Sequence, residues 1–170
     1  MGGIYSIRRT EEELIPALIN EIEAMKTEID LVLLVPVWPV CHQTVGLVAR
    51  ALEATGISTL VLTAAHSITK AANPPRAAYV DMPLGYTAGK PHDEEFQKLL
   101  LRTALNSGTA IESPGTIIDT AIKWSDDPSW KQEASSGLNN GVVSVEGDTR
   151  SERTDIPQYQ SEEDREAAEG

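Results

Sequence analysis

Apolar residues recur with two different periods along the first 131 residues, and the alternation of these periods predicts an α/β fold. Short continuous apolar runs rich in β-branched residues are typical of buried parallel strands. Longer stretches with apolar residues three and four positions apart are typical of amphipathic helices. The predicted strands are 30–35, 57–63 and 76–81, and the helices that follow them are 43–54, 64–72 and 93–106.

The order of these elements predicts how they pack. Strands that alternate with helices form a parallel sheet through right-handed crossovers, with helices on both faces. We therefore expect a small three-layer α/β domain, doubly wound and of Rossmann or flavodoxin type. Gly56 and Gly108 follow apolar helical runs, and each is expected to end its helix.

A further helix is predicted before the first strand, over about 11–28. Leu14 and Leu18 belong to an apolar set at helical spacing, and Thr10 with Glu13 has the spacing of a capping box. Packing beside the sheet is the simpler interpretation of this helix, and binding to a partner is the alternative.

The end of the chain differs in composition from the rest. Residues 82–91 are rich in Pro and Gly and predict a loop, while residues 116–122 predict either an edge strand or a short helix. From 132 to 170 Ser, Gly, Asn, Glu and Asp dominate, so this acidic tail is expected to be disordered or ordered by a partner. Its valine-rich stretch 142–145 is a candidate partner strand. The predicted division is therefore a domain over 1–131 and a tail.

The charge excludes two classes of partner. With 14 Lys and Arg against 26 Asp and Glu, the net charge is −12 at pH 7, whereas a nucleic-acid groove or an anionic membrane surface requires basic residues. No apolar run approaches the ~20 residues that span a bilayer, and the first residues lack the apolar core of a signal peptide. The single cysteine excludes an internal disulfide. We therefore expect a cytoplasmic protein.

The one cysteine lies where chemistry is expected in such a fold. Residues 38–42 form the turn from the first strand to the next helix, and ligands of open α/β sheets gather at the carboxyl ends of strands. A helix N-terminus favours a thiolate through its free N–H groups and its dipole. Cys41 is therefore either a reactive thiol or, as many lone cysteines are, an inert small hydrophobe.

Six further residues lie in or after the turns at the same edge, and each has a structural and a functional interpretation. His42 either contacts substrate or bonds the backbone, and His66 is either an acid/base group or a turn residue. Asp81 either orients a substrate amine or caps a turn. The substrate-binding candidates are His42, Gln43, Thr44, His66, Asp81 and Gly85. The three histidines are too scattered to predict a metal site, and no nucleotide-binding fingerprint is present.

The segment Val35–Arg50, with the sequence VPVWPVCHQTVGLVAR, resembles the selenoprotein B family. These are the substrate-specific subunits of glycine, sarcosine, betaine and D-proline reductases, together with their stand-alone relatives. Other stretches fit the same family and extend the resemblance over about 30–131: Pro75–Ala77, Val80–Gly85, Pro114–Asp119 and Trp124. The long region that precedes the motif in the glycine-reductase subunits is absent here, so the short stand-alone relatives are the better match.

Position 38 departs from the family pattern. The family motif is selenocysteine or cysteine, two residues, then cysteine, and Trp38 stands at its first position. Selenocysteine is encoded by UGA, a stop codon that some genetic codes and engineered genes read as tryptophan, so Trp38 is in one explanation a substituted selenocysteine. In the other, Trp38 is genuine and this copy has lost its first chalcogen, because an indole neither attacks a substrate nor closes a bond to Cys41.

The resemblance implies a reductive chemistry and a set of partners. A partner subunit with a pyruvoyl group activates a small amino substrate, and a selenolate or thiolate at position 38 attacks it so that the C–N bond is cleaved. Cys41 then resolves the intermediate, and an external dithiol or selenol system returns the electrons. No cofactor is expected on this chain itself, whereas an oligomer or a hetero-complex is expected.

Two other functions are compatible with the same residues. In one, the chain is a non-catalytic structural or partner subunit that kept the fold, with Trp38 as a contact anchor and the acidic tail as an interaction arm. In the other, Cys41 acts alone as a single-thiol nucleophile.

Overall fold

The structure is a computed structural model, and it describes residues 3–131, 138–139, 142–143 and 162–169. The chain divides into two compact units, Met1–Trp124 and Ser125–Gly170. No helix in the described ranges is long and apolar enough to cross a membrane.

The first unit is built around a four-stranded, all-parallel sheet. Its strands follow one another across the sheet in chain order, β1-β2-β3-β4. The strands are β1 (Val32–Leu34), β2 (Thr59–Thr63), β3 (Arg76–Asp81) and β4 (Thr116–Lys123). The helices are α1 (Ile7–Arg9), α2 (Ile15–Ala24), α3 (Pro39–Ala54), α4 (His66–Ala72) and α5 (Glu94–Thr109).

Helices cover both faces of the sheet, as the predicted three-layer α/β fold requires. The strand register aligns Leu34, Val61, Ala77 and Ile117 in one row, and all four pack with α2 and α3. The alternate residues of the same strands point to the opposite face, because successive side chains of a strand alternate. There they pack with α5 through Leu100 and other apolar side chains.

The topology differs from a doubly wound sheet in one respect. The strand order advances in a single direction without the reversal of a doubly wound sheet. Because α3 and α5 nevertheless lie on opposite faces, the β1–β2 and β3–β4 crossovers have opposite hands. The expectation of right-handed crossovers throughout was therefore wrong for one of them.

The N-terminal helical region begins and ends earlier than predicted. It runs through α1, a π-helical turn (Thr10–Leu14) and α2, and Ser6 rather than Thr10 caps its start by accepting a bond from the Arg9 amide. The wide turn precedes Pro16, which has no amide hydrogen and whose ring would crowd a regular helical turn. As predicted, the helix packs beside the sheet.

The helix after β1 also begins earlier than predicted, at Pro39 rather than at Gln43. Proline at the first helical position costs nothing, because its missing amide hydrogen would have no partner there, and its fixed φ suits a helix. Cys41 and His42 are therefore part of the first helical turn and not of the connecting turn.

The two glycines expected to end helices differ in their roles, and the segment 116–122 takes one of its two predicted forms. Gly56 closes α3 with a φ of 91°, as expected, and residues 116–122 lie in an edge strand, β4, rather than in a helix. Gly108 does not end its helix but lies inside α5, where an added Cβ would stand 2.8 Å from Leu60 Cδ2. Close packing on the sheet, and not termination, explains that glycine.

In the second unit the structure describes a helical turn over 129–131, a short antiparallel pair and a longer helix. The pair joins β5 (Leu138–Asn139) to β6 (Val142–Val143), and the longer helix is α6 (Glu162–Glu169). Two of the valines proposed as a partner strand thus pair within the chain. The predicted disorder of the rest of the tail concerns residues outside those described.

Candidate functional site

Trp38 is the N-cap of α3, at the carboxyl edge of the sheet. Its backbone is extended, its side chain makes no capping hydrogen bond, and it is 56% exposed. A capping side chain normally accepts from the amides two or three residues later. Here those amides belong to Val40 and Cys41, so a side chain at position 38 projects where an anionic acceptor would be stabilised.

Cys41 stands three residues after Trp38, on the same face of the helix start. Cys41 is only 7% exposed, and the residues before α1 lie against the start of α3 beside it. A Cβ on Gly3 would be 3.0 Å from the Cys41 amide nitrogen and 2.9 Å from Val40 Cγ1, so glycine allows this close approach. We call Gly3–Ile4 the cover segment.

Thr44 is buried and fastens the cover segment. Its Oγ1 accepts a hydrogen bond from the Ile4 amide at 3.1 Å and also lies within bonding distance of the carbonyl oxygens of Ile4 and Val40, at 3.3 and 3.1 Å. Thr44 therefore has a role in tertiary structure, joining the cover segment to α3.

Gln43 lies on a different side of α3. It lines a cavity of about 540 Å³ between α3, α4 and Ile7, whose lining does not include Trp38, Cys41 or Asp81. The structure therefore separates Gln43 from the cysteine.

His42 is completely buried at the start of α3. Its Nδ1 lies 2.8 Å from the Trp38 carbonyl oxygen, and its Nε2 is buried without a hydrogen-bond partner among the described residues. Burial lowers the pKa of His42, an effect that the bond to Trp38 offsets in part. Of its two predicted roles, the structure shows the backbone hydrogen bond.

A second cluster of polar side chains, formed by His66, Tyr79 and Asp81, lies where β2 and β3 end. The His66 and Tyr79 rings meet edge to face with centroids 5.6 Å apart, and the Tyr79 hydroxyl donates to Asp81 Oδ1 at 3.2 Å. Burial raises the pKa of Tyr79, and the nearby carboxylates of Asp81 and Asp119 raise it further. His66 and Asp81 are therefore linked through Tyr79, which the sequence did not identify.

Gly85 joins the loop after β3 to the loop after β1. Its amide donates to the Val37 carbonyl at 3.0 Å, and its φ of 96° is one that glycine adopts without strain. The two joined loops carry exposed large apolar side chains, which we call the edge patch: Val35, Val37, Trp38, Leu84 and Tyr86. These residues lie in loops and show no periodicity, so no signal in the sequence indicated that they would form a patch.

The loop after β3 is held by aromatic contacts as well. The Tyr86 and Trp124 rings are 5.2 Å apart, and the Lys90 ammonium lies 5.0 Å from the Phe96 ring centroid and 5.4 Å from that of Trp124. His92 is exposed beside this loop. Among the described residues no three His, Cys, Asp or Glu side chains are grouped as a metal site would require.

A search of curated proteins gives one informative match. The chain is 30% identical over 118 residues to D-proline reductase subunit gamma from Acetoanaerobium sticklandii. The aligned part is 69% of this chain but 48% of that protein, so the chain spans about half the length of the relative that it matches. No family model matches the sequence, and no solved structure gives a significant match. The similarity relates this chain to a reductase subunit.

Proposed function

We propose that this chain is a subunit of a reductase complex in which position 38 and Cys41 form the redox pair. The observation that carries the proposal is the placement of position 38 as N-cap and Cys41 three residues later in one helix turn. Paired chalcogens in such a turn are close enough to bond to each other, and the helix N-terminus lowers the pKa of the outer one. The similarity to D-proline reductase subunit gamma supports the same assignment.

The proposed reaction is the two-electron reductive cleavage of a C–N bond. A selenolate or thiolate at position 38 attacks the carbon, and the amine leaves and takes a proton. The Cys41 thiolate then attacks the chalcogen at position 38, so the bond from carbon to chalcogen breaks and the carbon takes a proton. A dithiol finally reduces the bond between position 38 and Cys41 and is itself oxidised to a disulfide.

Trp38 itself cannot perform the first step, so the proposal requires selenocysteine or cysteine at that position of the active protein. The exposed setting fits a group that meets substrate, whereas the buried setting of Cys41 fits a resolving thiol. Asp81, with Tyr79 donating to it, is the proposed group for orienting a substrate ammonium at the same sheet edge. His66, exposed beside Tyr79, is the proposed acid/base group.

The proposed partners are a subunit that carries a pyruvoyl group and an external dithiol or selenol reductant. The pyruvoyl group would activate the amine as a Schiff base, and no cofactor is assigned to this chain. D-Proline is the first substrate to test, because it is named for the similar subunit. Reduction of its ring C–N bond gives a ring-opened amino acid.

The test compares Trp38→Cys with the control Trp38→Ser. Serine is similar in size to cysteine but has no thiol. In a dithiol/disulfide buffer, Trp38→Cys is expected to lose two hydrogens in its intact mass and to protect Cys41 from alkylation, and Trp38→Ser is not. With the pyruvoyl-containing subunit and a dithiol, Trp38→Cys is expected to open the D-proline ring, and the added change Cys41→Ser to abolish turnover. Full turnover without Cys41 would contradict the proposal.

A non-catalytic subunit is the second candidate function. The exposed Trp38 and the other apolar side chains of the edge patch favour it, since aromatic residues in such patches anchor protein contacts. In that case Trp38→Ala and Leu84→Ala weaken association with the pyruvoyl-containing subunit, and Cys41→Ser leaves both association and activity of the complex unchanged.

A further inference from the structure

We propose that His42 is a positioning residue that sets the direction in which the side chain of residue 38 projects toward Cys41. The inference rests on the proposed function, because it concerns the same pair of positions. His42 touches neither substrate nor the reacting atoms in this proposal. It acts through the backbone of residue 38.

The contact between His42 and residue 38 is short and fully enclosed. The Trp38 carbonyl lies 2.8 Å from His42 Nδ1 and also accepts from the His42 backbone amide at 3.2 Å. The imidazole is 0% exposed, so water does not reach the ring to replace it as the hydrogen-bond donor to this carbonyl. A carbonyl held from two sides fixes the peptide plane that joins Trp38 to Pro39.

The tautomer of His42 follows from its partners. A carbonyl oxygen only accepts hydrogen bonds, so Nδ1 must carry the hydrogen and donate. The buried Nε2, which has no partner among the described residues, is then the bare nitrogen of a neutral ring. A neutral ring places no positive charge beside the chalcogens, so its contribution is geometric and not the stabilisation of a thiolate by an imidazolium.

The fixed peptide plane matters because a bond across the pair has strict geometry. A disulfide requires Cβ atoms about 3.5–4.5 Å apart, and deviations strain it. The ψ of residue 38 is 166°, and with φ it decides where the Cβ of that residue points. Loss of the His42 bond frees this angle, so the closed pair becomes less favourable relative to the open dithiol and its reduction potential rises.

The experiment measures the reduction potential of the pair in Trp38→Cys against a dithiol/disulfide buffer. Adding His42→Leu removes the donor, whereas adding His42→Asn keeps an N–H near the position of Nδ1. We expect His42→Leu to lower the equilibrium constant for closure about tenfold, a rise of about 30 mV, and His42→Asn to restore most of it. Val48→Ala, a change at a fully buried position of the same helix whose apolar side chain forms no hydrogen bond to residue 38, is the matched control and is expected to leave the potential unchanged.

The possible results separate the two proposals. If the pair closes but His42→Leu leaves the potential unchanged, or Val48→Ala shifts it equally, the role of His42 is refuted and the redox pair stands. If the pair never closes in Trp38→Cys, the proposed function fails and the role of His42 falls with it. If His42→Leu does not fold, nitrogen NMR of the unaltered chain decides: a hydrogen on Nδ1 supports the inference, and a hydrogen on Nε2 overturns it.

Discussion

Two strand-to-helix junctions stand side by side at the carboxyl edge of the sheet, and they are built differently. After β1, α3 is 16 residues long and buries eight of them, whereas after β2, α4 is 7 residues long and buries only Thr69. Each junction offers a histidine, but His42 is enclosed and His66 is exposed.

The difference shows which junction can hold a fixed constellation. The start of α3 is held by Pro39, by the His42 bond to Trp38 and by the cover segment, so positions 38 and 41 keep one geometry. The N-cap of α4 is Ala65, which provides no capping side chain, and the Thr63–Thr69 hydroxyl bond of 2.7 Å is its main internal tie. This contrast supports the proposed placement of the redox pair at the first junction and of a substrate contact at the second.

The largest expected effect tests whether α3 is the firmly packed helix. Leu52 is fully buried in α3. Leu52→Ala is expected to lower the free energy of unfolding by about 2–5 kcal/mol, because it leaves a cavity in the core. Leu99→Ala on α5, where the side chain is 54% exposed, is the matched control and is expected to change stability by about 0.5 kcal/mol or less. Urea unfolding measures both, and equal losses would contradict the contrast.

A second prediction addresses the contact between the two junction helices. A Cβ on Gly46 would lie 2.5 Å from the Cβ of Ala72, which is fixed to the backbone of α4. Gly46→Ala should therefore destabilise by about 1–3 kcal/mol through overpacking, although a Gly-to-Ala change in a helix usually stabilises by about 0.5–1 kcal/mol. Gly108→Ala, which meets the tip of the Leu60 side chain, is the control with the smaller cost. A stabilised Gly46→Ala variant would show that the helices are not in close contact.

These two predictions also show how far the sequence alone leads. The first three strands and the helices after them follow from local periodicity, and the Trp38–Cys41 motif follows from residue types. The Gly46–Ala72 and Gly108–Leu60 contacts, the packing of the cover segment on α3 and the His66–Tyr79 contact each join residues from different elements of the fold. No local pattern predicts such contacts. The opposite hands of the β1–β2 and β3–β4 crossovers are equally invisible to periodicity.

The buried His42 should couple the stability of the fold to pH. Because the pKa of His42 is lowered in the folded state, the unfolded chain binds the proton more readily. The stability that neutral His42 contributes is therefore fully present above the unfolded pKa of about 6.5. The free energy of unfolding falls as pH drops below that value, by at most about 1.4 kcal/mol per pH unit. The measurement is urea unfolding from pH 8 to pH 5.

The control for this pH dependence is a substitution that removes the imidazole of His42. His42→Phe is expected to remove the part of the slope between pH 7 and pH 5 that the imidazole causes, so the difference from the unaltered chain isolates His42 from the carboxylates. An unchanged slope in His42→Phe would contradict the buried, neutral state of this ring.

The smallest expected effect concerns the cover segment. Thr44→Val keeps the shape of the side chain but removes the bonds to Ile4, each worth about 0.5–1.5 kcal/mol. Cys41 should then react with iodoacetamide about tenfold faster, because the segment opens more often. Thr103→Val on α5, which loses a local bond to Leu99, is the control and should leave the rate unchanged. Equal rates in all three proteins would show that Gly3–Ile4 does not shield the thiol.

The central claim is that position 38 and Cys41 form a chalcogen pair, and the identity of residue 38 in the natural protein tests it most directly. Trypsin releases Thr27–Arg50 as one peptide, and its mass is to be read together with codon 38 of the gene. The account predicts a UGA codon with the isotope pattern of selenium, or a cysteine mass, at this position. A UGG codon with a tryptophan mass would contradict it and leave the non-catalytic subunit as the better explanation of this chain.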